Sequence, residues 1–130
     1  MIVVDTSVWI DFFTGRESVR SARLNELPGE RRVVVGDVIL LEILQGFRHD
    51  AHLERAASLL RRGPIVVMLG EARALSAAAR YRRRWAEGVT IRKTIDLVIG
   101  SWCIDENVPL LHADRDFDRL AEHEGLVSLL

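Results

Sequence analysis

The sequence of 130 residues predicts a single α/β domain, residues 1–130, whose parallel β-sheet is covered by helices on both faces. Short β-branched runs alternate along the chain with longer segments rich in helix-forming residues. The length is close to the commonest size for one domain, and no linker, repeat or low-complexity tract divides it. A content of 48% hydrophobic and 28% charged residues is typical of an independently folding globular protein.

Five strands are predicted at short apolar runs that lack alternating polar residues. Such runs are expected for strands that are buried on both faces of a parallel sheet. The strands are residues 2–5, 33–35, 65–69, 110–111 and 126–129.

Seven helices are predicted between and after these strands. They are the short segment after Ser7 and residues 17–27, 38–47, 51–62, 71–87, 95–106 and 115–123. Ser7 and Asp37 are the expected N-caps of the first and third helices, because their side chains accept hydrogen bonds from free N–H groups. Pro28-Gly29 and Gly63-Pro64 are expected to stop the second and fourth helices, and Gly88 the fifth.

Composition excludes several classes of protein. The 19 acidic and 18 basic residues nearly cancel, so global charge favours no particular partner. Cys103 is the only cysteine, which excludes an intramolecular disulfide and a cysteine-rich zinc site. The start of the chain lacks a basic leader region, and no apolar run is long enough to span a bilayer. These features predict a cytoplasmic protein with no membrane partner.

Five acidic residues lie inside or beside apolar segments, where an ionised carboxylate is costly unless a cation offsets it. Asp5 ends the first strand, Glu42 lies within an apolar helix, Asp96 lies in the first turn of its helix, and Asp114 and Asp116 follow the fourth strand. Ligand sites in open parallel sheets form beyond the carboxyl ends of the strands. We therefore expect these acids to converge there.

Converging carboxylates repel one another, and a divalent cation resolves that repulsion. A set of oxygen ligands favours Mg²⁺ or Mn²⁺ over zinc. A metal-activated water then suits phosphodiester hydrolysis. Each acid also has a simpler interpretation: Asp5, Asp96, Asp114 and Asp116 as caps or first-turn acids, and Glu42 as an exposed helix residue.

The ordered set of motifs resembles the PIN domain family and, more narrowly, the VapC toxins of VapBC toxin–antitoxin pairs. The motifs are Asp5-Thr6-Ser7 after the first strand, Glu42 in an apolar helix, Asp96 before Leu97-Val98-Ile99, and the ending Leu-Leu-His-Ala-Asp-Arg-Asp-Phe. Each motif alone is weakly specific, whereas the set in this order is strongly specific. The resemblance covers essentially the whole chain.

The resemblance implies a Mg²⁺- or Mn²⁺-dependent endoribonuclease that cuts tRNA or rRNA. It implies a homodimer, inhibited by a cognate VapB antitoxin in a hetero-oligomer, and a parallel sheet of order 3-2-1-4-5. It assigns the metal and the chemistry to Asp5, Glu42, Asp96 and Asp114, with Asp116 as an auxiliary ligand.

Three further residues near these motifs have open roles. Thr6 and Ser7 are caps or, as auxiliary residues, could orient the reacting water. His112 stands where the family often has a hydroxyl residue. It either fills space or hydrogen-bonds a water or substrate phosphate.

A basic cluster precedes the third acid. Arg80, Arg83 and Arg84 share one helix face by i, i+3 and i+4 spacing, and Arg92 and Lys93 lie just before Asp96. This arrangement would place positive charge beside the acids, where it could bind RNA or an acidic stretch of the antitoxin. A solvated face that aids solubility is the alternative.

Two other functions remain open from the sequence. An aspartyl-phosphate phosphatase could use Asp5 as its nucleophile, although such sites usually have a second Asp where Ser7 stands here. A catalytically silent binding module with the same shape is the other alternative.

Overall fold

The computed structural model describes residues 1–130 and confirms an α/β domain with a parallel sheet flanked by helices. The strands are β1 (Ile2–Val4), β2 (Val33–Gly36), β3 (Ile65–Val66) and β4 (Leu110–Leu111). They form one four-stranded sheet of order β3-β2-β1-β4, with every neighbouring pair parallel. Val3 of β1 pairs with Val34 on one side and Leu110 on the other.

Seven helices surround the sheet, and their bounds lie within three residues of the predicted ones. They are α1 (Thr6–Thr14), α2 (Val19–Glu30), α3 (Asp37–Gln45), α4 (Asp50–Leu60), α5 (Glu71–Ala86), α6 (Thr94–Glu106) and α7 (Arg115–Glu124). Helix α6 is buried along residues 96–103 because it is apolar on all sides and packs between other helices. No helix of the chain combines the length and apolar character that crossing a membrane requires.

Two predicted strands are shorter than expected by more than one residue. The segment 126–129 forms only a single parallel bridge, between Ser128 and Leu110, although this places it beside β4, as the order 3-2-1-4-5 implies. Its neighbour Val127 is 61% exposed, so little apolar burial supports a longer strand there. Strand β3 ends at Val66 because the Met68 N–H donates to the Asp37 side chain, 3.0 Å away, and not to a neighbouring strand.

The helix ends also correct the sequence-based assignments. Asp5, not Ser7, is the N-cap of α1, and Gly36, not Asp37, precedes α3. Helix α2 does not stop at Pro28 but continues to Glu30. A proline this close to the end removes only one helical hydrogen bond, and an ion pair at 2.8 Å joins Arg23 to Glu30 about two turns further along the helix.

The packing of α6 against α7 brings their N-terminal ends together at the carboxyl edge of the sheet. A Cβ atom added at Gly100 of α6 would lie 2.4 Å from Leu120 Cδ1 of α7, so a larger residue here would require the buried Leu120 side chain to shift. Phe117 and Leu120 of α7 are completely buried against the same core. Asp96 and Asp114 are thereby held near each other.

Candidate metal centre

The acids predicted to converge lie at one edge of the sheet. Asp5 directly follows β1, Asp114 is the N-cap of α7 just after β4, and Asp96 lies in the first turn of α6. Carboxylate oxygens of Asp96, Asp114 and Asp116 all lie within 4.8 Å of one another. Because parallel strands end at the same edge of the sheet, acidic side chains that are distant in sequence lie close together there.

Only one of the two carboxylate oxygens of Asp5 accepts hydrogen bonds. Its Oδ2 accepts hydrogen bonds from the Ser7 hydroxyl at 2.7 Å and the Ser7 N–H at 3.4 Å. Its Oδ1 is buried without a hydrogen-bond partner. Burial raises the pKa of Asp5, the bonds from Ser7 lower it, and the nearby charge of Glu42 raises it further. The free oxygen is a potential ligand for a cation.

Glu42 is held near Asp5 by Thr6. The Thr6 hydroxyl on α1 donates to Glu42 Oε1 on α3 at 2.6 Å. Thr6 and Ser7 therefore each donate a hydrogen bond to one of the acids. Orientation of a reacting water by either hydroxyl stays a prediction.

The pKa of Asp96, like that of Asp5, is raised within the cluster. It is 6% exposed, and its Oδ2 has no hydrogen-bond partner. Burial, followed by the charges of Asp5 and Asp114, raises the pKa of Asp96 to about 7. Free buried oxygens on two acids, together with mutual repulsion and an all-oxygen donor set, fit a hard divalent cation.

Lys93 lies directly on the acid cluster. Its Nζ is 2.6 Å from Asp114 Oδ2 and 4.0 Å from Asp96 Oδ2. The hydrogen bond to Asp114 raises the pKa of Lys93. Burial raises the pKa of Asp114, but bonds from Lys93 and the Asp116 N–H outweigh it, so the net shift is downward. The Lys93 side chain is 64% exposed, which leaves it free to move aside for a cation.

Asp116 organises the loop that precedes α6. One oxygen accepts the Arg92 N–H at 3.0 Å, and the other accepts the Lys93 N–H at 2.9 Å. Arg119 adds an ion pair at 3.2 Å. Sequence reasoning missed this loop contact, although the i, i+3 spacing of Asp116 and Arg119 could have suggested the ion pair. The auxiliary ligand role of Asp116 remains a prediction.

His112 faces the C-terminal segment. Its Nε2 lies 2.7 Å from the Ser128 hydroxyl, and its ring centroid lies 5.0 Å from that of Phe117. Burial lowers the pKa of His112, which favours the neutral ring. These contacts support the space-filling interpretation.

The basic cluster divides into two groups. Arg80, Arg83 and Arg84 form ion pairs with Glu124, and Arg80 also pairs with Asp105. These acids lie at the C-terminal ends of α7 and α6, about 12 Å along the helix axes from the acid cluster. The structure therefore does not place these three guanidinium groups beside the acids.

The second group, Arg92 and Lys93, does lie beside the acids. Both residues belong to the loop that Asp116 holds, and the Lys93 ammonium contacts Asp114. The expected positive charge next to the carboxylates is present, but only in this part of the basic cluster.

A model of the PIN domain family matches residues 2–123. A VapC ribonuclease of Mycobacterium bovis and ribonuclease VapC11 of Mycobacterium tuberculosis are each 28% identical to the chain over 128 residues, covering 97% of it and 96% of the relative. Among solved structures, VapBC2 from Rickettsia felis bound to a promoter DNA fragment superposes with a TM-score of 0.79 at 17% identity, covering 99% of this chain and 98% of that one. FitAcB from Neisseria gonorrhoeae superposes with a TM-score of 0.77 at 17% identity, covering 100% and 97%. These structures share the fold.

Proposed function

The chain belongs to the PIN domain family, and on that premise we propose that it is a metal-dependent endoribonuclease, the toxin of a VapBC-type toxin–antitoxin pair. The acid cluster at the sheet edge, with unpartnered buried oxygens on Asp5 and Asp96, is the observation that carries the proposal. The relatives named VapC ribonuclease, matched over nearly their whole length, support the same activity.

The proposed cofactor is Mg²⁺, for which Mn²⁺ can substitute because both ions favour oxygen ligands. Asp5, Glu42, Asp96 and Asp114 would hold it directly or through water, with Asp116 as the auxiliary ligand. A cation of this kind, when bound, lowers the pKa of water and offsets negative charge on a phosphate.

The chain's own residues prepare the site for that chemistry. The hydroxyls of Thr6 and Ser7 fix the positions of Glu42 and Asp5. Burial of Asp5 and Asp96 keeps bulk water away and strengthens their interaction with a cation. Lys93 supplies positive charge at the exposed side, where the RNA backbone must approach. No side chain is required as a dedicated general base.

The proposed partners follow from the proposed toxin role. The substrate is RNA, with tRNA or rRNA as the expected targets. Fold similarity to VapBC and FitAB complexes supports a VapB-type antitoxin as the protein partner. A homodimer, a toxin–antitoxin hetero-oligomer and a cytoplasmic location stay predictions. RNA binding by the basic cluster also stays a prediction, for Arg80, Arg83, Arg84, Arg92 and Lys93.

The ribonuclease proposal is tested with Asp5→Asn and Asp96→Asn. Each variant removes a charged ligand while keeping the side-chain shape, so Mg²⁺-dependent RNA cleavage should fall by roughly a hundredfold or more, since even outer contacts of metal sites cost tenfold or more. Gel assays of RNA cleavage with Mg²⁺, and with EDTA, measure this loss.

Asp50→Asn is the matched control, because Asp50 is an exposed acid on α4 outside the cluster. It should cleave RNA like the wild type. Full EDTA-sensitive cleavage by a folded Asp96→Asn variant would contradict the proposal. Failure of the wild type to cut any RNA with Mg²⁺ or Mn²⁺ would do the same.

A further inference from the structure

A positively lined cavity of about 340 Å³ adjoins the acid cluster. It lies between α7 and the loop before α6, and its lining combines four cationic side chains with two carboxylates: Arg92, Lys93, Arg115, Arg119, Asp114 and Asp116. Asp5, Glu42 and Asp96 do not line it. The cavity therefore shares Asp114 and Asp116 with the candidate metal centre, and its four cationic side chains lie beside them.

Both carboxylates of the cavity already have partners within the chain. Asp116 accepts the N–H groups of Arg92 and Lys93. Asp114 Oδ1 accepts the Asp116 N–H at 2.9 Å, and its Oδ2 accepts from the Lys93 ammonium. The guanidinium groups of Arg92 and Arg115 form no hydrogen bond or ion pair, and both residues are exposed. Their positive charge is available to a ligand.

Arg119 is held in place beside these two side chains. Its Nη1 donates to the Thr90 carbonyl at 3.0 Å and to Asp116 Oδ1 at 3.2 Å. These two contacts leave the Nε and Nη2 donors of the planar guanidinium without a partner. An arginine fixed in this way loses less side-chain entropy when it binds an anion.

We propose that this cavity is a subsite for an RNA phosphate that flanks the phosphodiester to be cut, bound by Arg92, Arg115 and Arg119. The inference rests on the proposed ribonuclease function and extends it to substrate positioning. Guanidinium groups match phosphate oxygens in geometry and charge. Arg80, Arg83 and Arg84 of α5 already face carboxylates, whereas Arg92 and Arg115 at this cavity do not. A neighbouring phosphate held here would bring the next linkage to the acid cluster.

The test compares Arg92→Gln and Arg115→Gln with Arg55→Gln. Arg55 is an exposed arginine on α4 with no carboxylate partner, so it controls for the loss of a surface charge. Binding of a short fluorescein-labelled single-stranded RNA is measured by anisotropy in the Asp96→Asn background with Mg²⁺. Cleavage of the same RNA is measured in the wild-type background.

We expect each cavity variant to weaken RNA binding roughly five- to tenfold and to lower the slope of log affinity against log salt by about one. The Mn²⁺-induced increase in Tm should match that of the unsubstituted protein, because neither side chain belongs to the metal site. Arg55→Gln should behave like the parent in every assay.

The possible failures are distinguishable. If the wild type neither binds nor cleaves RNA, the proposed function fails and the subsite fails with it. If the wild type cleaves RNA while Arg92→Gln and Arg115→Gln bind it like the parent, only the subsite is overturned. Loss of antitoxin affinity with unchanged RNA affinity would assign the cavity to the protein partner and also overturn the inference.

Discussion

Asp96 is a residue whose ionisation the folded structure makes less favourable. The residue lies in the first turn of α6, where the helix dipole favours an anion. Burial and two neighbouring acids nevertheless raise its pKa to about 7. Without a cation, and at pH values between about 4 and 7, the folded protein therefore keeps a proton on Asp96 that the unfolded chain would release.

This proton makes stability depend on pH in a defined direction. Between pH 4 and 7 the folded state binds more protons than the unfolded state, so Asp96 makes the metal-free protein less stable as pH rises. Asp96→Asn cannot titrate. Its free energy of unfolding relative to the wild type should increase by about 2–3 kcal/mol from pH 5 to pH 8.

Urea unfolding in EDTA at both pH values measures this difference. Comparison with the variant removes the contribution of groups that titrate in both proteins. One of them is His112, whose lowered pKa makes the folded protein more stable as pH rises. Excess Mg²⁺ should stabilise the wild type more at pH 8 than at pH 5, because ligands must be deprotonated. If the free energy of unfolding changed equally with pH in the two proteins, Asp96 would not have the raised pKa on which this prediction depends.

At the scale of elements, the loop between α5 and α6 depends on α7 for its position. Asp116 accepts the N–H groups of two consecutive loop residues, Arg92 and Lys93. Arg119, one turn further along α7, donates to the Thr90 carbonyl of the same loop. The N-terminal part of α7 thus positions Arg92 and Lys93 beside the acid cluster.

Asp116→Ala should release this loop while leaving the core intact. Loss of the charge-assisted acceptors for two N–H groups predicts a destabilisation of about 2–3 kcal/mol. Hydrogen exchange should become faster at residues 90–93 than elsewhere, and the KM for RNA should rise because Arg92 and Lys93 lose their positions. Asp118→Ala, an exposed neighbour on α7, is the control. Unchanged exchange at residues 90–93 would contradict the assigned anchoring role.

At the scale of the whole molecule, the opposite ends of α6 and α7 are tied to α5 by ion pairs. Glu124 Oε1 lies 2.8 Å from Arg83, 3.4 Å from Arg80 and 4.0 Å from Arg84. The Glu124 side chain is only 11% exposed, so its charge is poorly screened by solvent. Glu124 is therefore shared by three guanidinium groups, of which Arg80 also pairs with Asp105 and Arg84 with Glu87.

Glu124→Gln should destabilise the fold by about 2–4 kcal/mol, because it leaves partly buried cations without their shared partner. Glu122→Gln on the same helix is the control, since Glu122 is 71% exposed and forms an ion pair with His123 alone. Urea unfolding compares the two variants. Equal stabilities would show that the ion pairs of Glu124 with the α5 arginines do not stabilise the fold.

The sequence by itself determined the fold class, the parallel sheet, the positions of most helices and the set of acids. These features follow from local apolar patterns and from charges set within apolar segments, which any reader of the chain can see. Segment 126–129 forms only one β-bridge where the sequence predicts a strand, because strand formation also depends on pairing partners and burial.

Only the tertiary structure decided which charged groups meet. Thr6 and Glu42 are 36 residues apart, and Arg92 and Asp116 are 24 residues apart, yet each pair is hydrogen-bonded. The ion-pair partner of Arg80 and Arg83 on α5 was likewise decided by the tertiary structure. Their helical spacing does not show whether they pair with Glu124, with the acid cluster or with RNA. Local pattern specifies the face on which a side chain lies, whereas the packing of distant elements specifies what that face meets.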